Sequence, residues 1–72
     1  MPVFEVGLYN RDVRECVDEG RHHPHLKDEW EDIHYFEVEA DTADEARRKI
    51  VRSYPTALGF VIESVELVSD DG

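Results

Sequence analysis

Cys16, His22, His23, His25 and His34 are the side chains of this chain best suited to hold a metal ion, and they stand close together in the sequence. Zinc accepts mixed nitrogen and sulfur donors in a tetrahedral array. The spacing contains neither a Cys-x-x-Cys nor a His-x-x-x-His arrangement, and the adjacent His22 and His23 point apart in most backbone conformations. A zinc-binding structural domain is therefore the alternative reading. The first expectation is a solvated histidine loop, no metal and no cofactor, with Cys16 packed as a small hydrophobe.

Imidazoles also titrate in the physiological range, so the same histidines could lower the negative charge on acidification. Any histidine-bearing surface does this, and passive titration is expected. Catalysis has little to rest on. There is no glycine-rich phosphate loop and no Gly-x-Ser-x-Gly elbow, and Cys16 lacks a partner set for nucleophilic chemistry. A domain this small seldom encloses a pocket of ~300 Å³ or more. No catalytic residue is assigned. The basic run Arg47, Arg48, Lys49 and Arg52 could meet an anion, but such charges ordinarily complement a helix C-terminus and pair with carboxylates such as Asp44 one turn away.

The elements that would position these groups are clearest over residues 33–67, which read as strand, helix, strand. Phe36, Val38 and Ala40 alternate with Tyr35, Glu37 and Glu39, the period of a half-buried strand. Thr42 is a helix N-cap, and Glu45 three residues on can reach back to the Thr42 amide to complete a capping box. Ala43, Ala46, Ile50 and Tyr54 form an apolar stripe at helical spacing, and Pro55 ends the helix near Arg52 or Ser53. Residues 59–68 form another strand with a flaw. Phe60 and Ile62 share one face while Val65 and Leu67 fall on the other, unless a bulge near Glu63 or Ser64 shifts the phase; the alternative is a central strand covered on both faces.

Residues 2–9 alternate as a first strand, with Phe4, Val6 and Leu8 on one side and Val3, Glu5, Gly7 and Tyr9 on the other. Asn10 is a fair N-cap for a helix over 11–19 that Gly20 would terminate, with a second hairpin strand as rival. After Pro24, a turn of helix could bring Leu26 and Trp30 together. The order is β-α-β-α-β. A helical crossover returns in parallel, so the first strand either slots between the other two, the favoured split β-α-β arrangement, or pairs on an outer edge. The expected fold is α+β, a three-stranded sheet with its helices mainly on one face. Residues 1–68 make one domain and 69–72 a flexible acidic tail. The other sheet face, with Val3, Tyr9 and Tyr35, should be covered either by the Leu26–Trp30 segment or by a second copy.

Composition narrows the partners. With 18 acidic and 8 basic residues among 72, the formal net charge is -10. That charge repels nucleic acid and anionic membrane surfaces, and no apolar run approaches the roughly 20 residues of a membrane span. An acidic surface can imitate DNA, but solvated carboxylates are far commoner. One cysteine excludes an intrachain disulfide and suits a reducing, cytoplasmic setting.

The stretch from Tyr35 through Ala46, the basic helix with Tyr54, and the closing Val61-Ile62-Glu63-Ser64-Val65-Glu66 resemble the small DpnD/PcfM-like proteins of phage and plasmid origin, over residues 34–68. The resemblance implies a fold and supplies no catalytic residues. The expectation is a small acidic protein-interaction or self-associating module, its partner an unknown protein or a second copy, with Tyr9, Trp30 and Tyr35 as contact residues.

Overall fold

The computed structural model describes residues 1–70. Three strands, β1 (Val3–Asn10), β2 (His34–Glu39) and β3 (Phe60–Ser69), form one sheet in the order β2-β1-β3, and β1 is antiparallel to both neighbours. Helix α1 (Arg11–Asp18) follows β1, and α2 (Ala43–Ser53) makes the crossover from β2 to β3. The first strand is thus the central one in a split β-α-β arrangement, an α+β fold. Short 3-10 turns at Asp28–Glu31 and Thr56–Leu58 lead into β2 and β3.

The two faces of the sheet differ because β1 alternates. Phe4, Val6 and Leu8 are buried, and Ala46 and Ile50 of α2 lie in the same core with Ala40 and Phe60. Full burial of one aliphatic side chain contributes about 1.5–3 kcal/mol, so a core this short depends on each of them. α2 begins where Thr42 Oγ1 accepts a hydrogen bond from the Glu45 amide at 3.1 Å. The return half of the expected capping box is displaced by one residue. Glu45 Oε2 accepts from the Asp41 amide at 3.4 Å rather than from that of Thr42, while its Oε1 lies 3.5 Å from Lys49 Nζ one turn on. The helix ends at Ser53 because Tyr54, ahead of Pro55, takes an extended φ of -129°.

The flawed alternation of the last strand is resolved by a bulge. Leu8 pairs with Ile62 and Gly7 with Ser64, leaving Glu63 as the extra residue. From there Val65 stands opposite Val6 and Leu67 opposite Phe4, on the core side with Ile62. A further shift falls between Val3 and Phe4, where Val68 is the extra residue and Ser69 pairs with Val3. Ser69 therefore belongs to the strand, not to a tail. Residues 71–72 of the expected tail lie outside the described residues.

The stretch 26–30 between α1 and β2 turns toward the core, whereas Ile33, at the entry to β2, lies on the open side against Gly7. Leu26 and Trp30 both pack on the core cluster, with the Trp30 ring 5.2 Å from Phe60, 5.5 Å from Tyr54 and 6.3 Å from Phe36. An indole is large and apolar, and the cluster of Phe36, Tyr54 and Phe60 on the α2 side offers it the greater burial. The second face of the sheet is consequently not covered by this segment, as one of the two expected solutions required.

At the junction of β1, α1 and β3 sits Asn10, the one buried polar side chain among the described residues. Its Oδ1 caps α1 by accepting from the Val13 amide at 3.0 Å, and its Nδ2 donates to the Leu58 carbonyl at 3.0 Å. Gly59 follows Leu58 at φ 94°, and the Arg11 amide donates to its carbonyl at 2.7 Å. A β-carbon on Gly59 would stand 2.5 Å from Asp12 Oδ2, so both backbone angle and space demand glycine there.

Candidate functional site

The histidines are taken up separately, each by its own piece of local structure. His22 Nδ1 lies 2.6 Å from Asp28 Oδ2. His23 Nδ1 accepts from the amides of His25 and Leu26, both at 3.1 Å, and so closes the turn around Pro24. His34 Nε2 sits 2.8 Å from the Glu29 carbonyl. A carbonyl only accepts, so that nitrogen carries the proton, and the Trp30 ring lies 4.5 Å from the His34 ring. Among the described residues no three His, Cys, Asp or Glu side chains converge on a possible metal position. Cys16, His22, His23, His25 and His34 are therefore not brought together as a zinc set. His23 Nδ1 commits its lone pair to two amides, so the neutral ring carries its proton on Nε2 and offers no bare nitrogen to a metal. Sequence spacing could not show this, because the partners are backbone groups.

The Arg21 pKa is raised by its hydrogen bond to Glu19 and by that carboxylate's charge, but an arginine is cationic either way. Two shallow grooves flank the fold. One, of about 280 Å³, is lined by Arg11, Arg47, Val51 and Phe60 among others, and one of about 270 Å³ by Asp12, His23, His25 and Leu58 among others. Cys16 lines neither.

The open sheet face is the more organised surface. It is read in rows, because side chains of directly paired residues stand side by side. One row is Tyr35, Gly7 and Ser64, and the next is Glu37, Glu5 and Glu66. Tyr9 pairs with Val61 beyond the first row, and Val3 with Glu39 beyond the second. Gly7 has a steric reason to lack a side chain. Its β-carbon would stand 2.7 Å from Ser64 Oγ, 3.1 Å from the Tyr35 ring and 3.2 Å from Ile33. The ring of Tyr35 therefore reaches across the central strand while remaining 60% exposed.

Tyr9 is partly covered. The Arg14 guanidinium lies 3.8 Å from the centre of its ring and donates to the Glu31 carbonyl through Nε and Nη2, at 3.0 and 2.8 Å. This one arginine ties α1 to the 3-10 turn and braces the edge of the open face. The ion pairs among the described residues are Arg11–Asp12, Arg21–Glu19, His22–Asp28 and Lys49–Glu45. None involves Glu5, Glu37 or Glu66.

Of the expected contact residues, Tyr9 and Tyr35 lie on this face, whereas Trp30 is half-buried in the aromatic cluster on the other. The glutamate row and the brace by Arg14 were not anticipated. Alternation along each strand puts Glu5 and Glu37 on the outer side, but only the register sets them side by side with Glu66. No helix among the described residues is long and apolar enough to cross a membrane. No protein-family model, curated protein or solved structure matches the chain.

Proposed function

We propose that the chain is a protein-interaction module of a reducing, cytoplasmic compartment and that the open sheet face is its contact surface. The single observation that carries this reading is the contrast between the two faces: one is roofed by α2, while the other leaves Tyr35 60% exposed at its centre. An aromatic ring held flat on a rigid sheet is an inexpensive contact group, since little side-chain freedom remains to be lost on binding. The free thiol of Cys16 fits the compartment. The likeness of residues 34–68 to DpnD/PcfM-like proteins suggests a phage or plasmid setting.

Self-association is the second form of the same reading, since a second copy could roof the face. A photo-crosslinking residue placed at Tyr35, and separately at Arg48 on α2, tests both in the native cell. Adducts formed from position 35 and not from position 48 are expected. A mass twice that of the chain would mean self-association, and a different mass a foreign partner. Equal adducts from the two positions, or none from position 35, would overturn the assignment of this face.

A further inference from the structure

We infer that the occupant of the open face is a basic amphipathic helix of another protein. The inference rests on the reading of that face as the contact surface and adds the chemistry of the partner. Its first ground is charge. Glu37, Glu5 and Glu66 stand directly opposite one another across three strands, an arrangement in which like charges repel. No cation of this chain pairs with them among the described residues; Arg47, Arg48 and Arg52 sit on α2 over the opposite face. A net charge of -10 disfavours a second copy at long range and attracts a cationic partner.

The second ground is shape. Three strands spaced about 4.8 Å apart span roughly 10 Å, which is about the diameter of one helix with its side chains. α2 already roofs the opposite face in this manner. Same-face rows on a strand repeat about every 6.6 Å and helix turns about every 5.4 Å, so a helix laid along β1 meets successive rows with successive turns. The turn over Tyr35 must be apolar and the turn over the glutamate row must carry Lys or Arg; the row of Tyr9 and Val61, one row further on, is already met by the Arg14 guanidinium. Gly7 is buried beneath the Tyr35 ring, Ser64 and Ile33, so a docking helix would rest on the exposed Tyr35 ring rather than on the strand backbone.

The test uses the full chain and three synthetic helical peptides with one shared apolar stripe, flanked by Lys/Arg, by Gln or by Glu. Amide resonances of Gly7, Tyr35 and Ser64 report the open face, and those of Arg48 and Arg52 report α2. The Lys/Arg peptide is expected to shift the open-face set alone, and to bind at least ten-fold more weakly to a Glu5→Gln, Glu66→Gln variant or in 300 mM salt. These substitutions remove repulsion, so the variant should melt no lower than the parent, which separates lost binding from lost folding. Equal binding of the Gln and Lys/Arg peptides, or unchanged affinity in the variant, overturns the basic partner and leaves the contact face standing. Failure of every peptide to shift the open face, with a concentration-dependent dimer that Tyr35→Asp abolishes, makes a second copy the occupant and overturns the inference. Shifts confined to α2, or no shift and no dimer, overturn both the inference and the reading beneath it.

Discussion

Asn10 joins three elements with one carboxamide, and its two halves can be separated by substitution. Asn10→Ala removes the cap on Val13 and strands the Leu58 carbonyl, a combined cost of about 2–4 kcal/mol. Asn10→Asp keeps the acceptor but aims a buried carboxylate at a carbonyl, and should cost at least as much. Urea unfolding monitored by circular dichroism measures both. If Asn10→Asp were as stable as the parent, the bond to Leu58 would be energetically idle. Gly59 makes a companion case. Gly59→Ala combines a φ of 94° with a β-carbon driven against Asp12, and should lower stability by about 1–3 kcal/mol. Because part of that cost is the collision, Asp12→Ala should recover a portion of it in a double-mutant cycle; complete additivity would show that the backbone angle alone is responsible.

At the scale of elements, the bulge in β3 is a phase corrector, and deletion tests that directly. Without Glu63, Ile62 still opposes Leu8 and Ser64 still opposes Gly7, so Val65 keeps its place on the core side. The chain lacking Glu63 should therefore fold with a regular ladder. Deleting Val61 should be far worse, since with Phe60 held opposite Asn10 it puts Ile62 opposite Tyr9 on the outer face and Glu63 opposite Leu8 in the core. Amide spectra and unfolding midpoints of the two deletions distinguish them; equal damage would mean that the bulge has a role beyond phase. This bulge is also where the sequence is most readable, because Val65 and Leu67 fall out of step with Phe60 and Ile62, and of the two arrangements that could accommodate this, a bulge or a central strand covered on both faces, the register shows the bulge. The side taken by Trp30 is not readable in this way. Its spacing from Leu26 says that the two side chains lie together and nothing about which sheet face they choose, a choice set by Tyr54 and Phe60 from distant parts of the chain. The fate of the histidines is hidden for a related reason, since His23 and His34 are satisfied by main-chain groups whose positions exist only after the turns have formed.

At the scale of the whole molecule, three carboxylates stand in register on the open sheet while Arg47, Arg48 and Arg52 on α2 have no ion-pair partner among the described residues. Such a distribution leaves stability below what the same fold could reach. Replacing the central glutamate, Glu5→Gln, should raise stability by about 0.2–1 kcal/mol at low salt, and the gain should shrink as salt screens the row. Thermal melts at low and high ionic strength decide this. A loss of stability in Glu5→Gln would mean that the carboxylate makes a favourable contact within the fold and that the row is not under strain.

The sole indole gives these experiments an optical reporter. Trp30 lies under Phe60 and Tyr54, with the sheet between it and Tyr35. Its emission should follow the integrity of the aromatic cluster and stay nearly silent when something settles on the opposite side. Denaturation and ligation can thus be watched as independent signals in one cuvette.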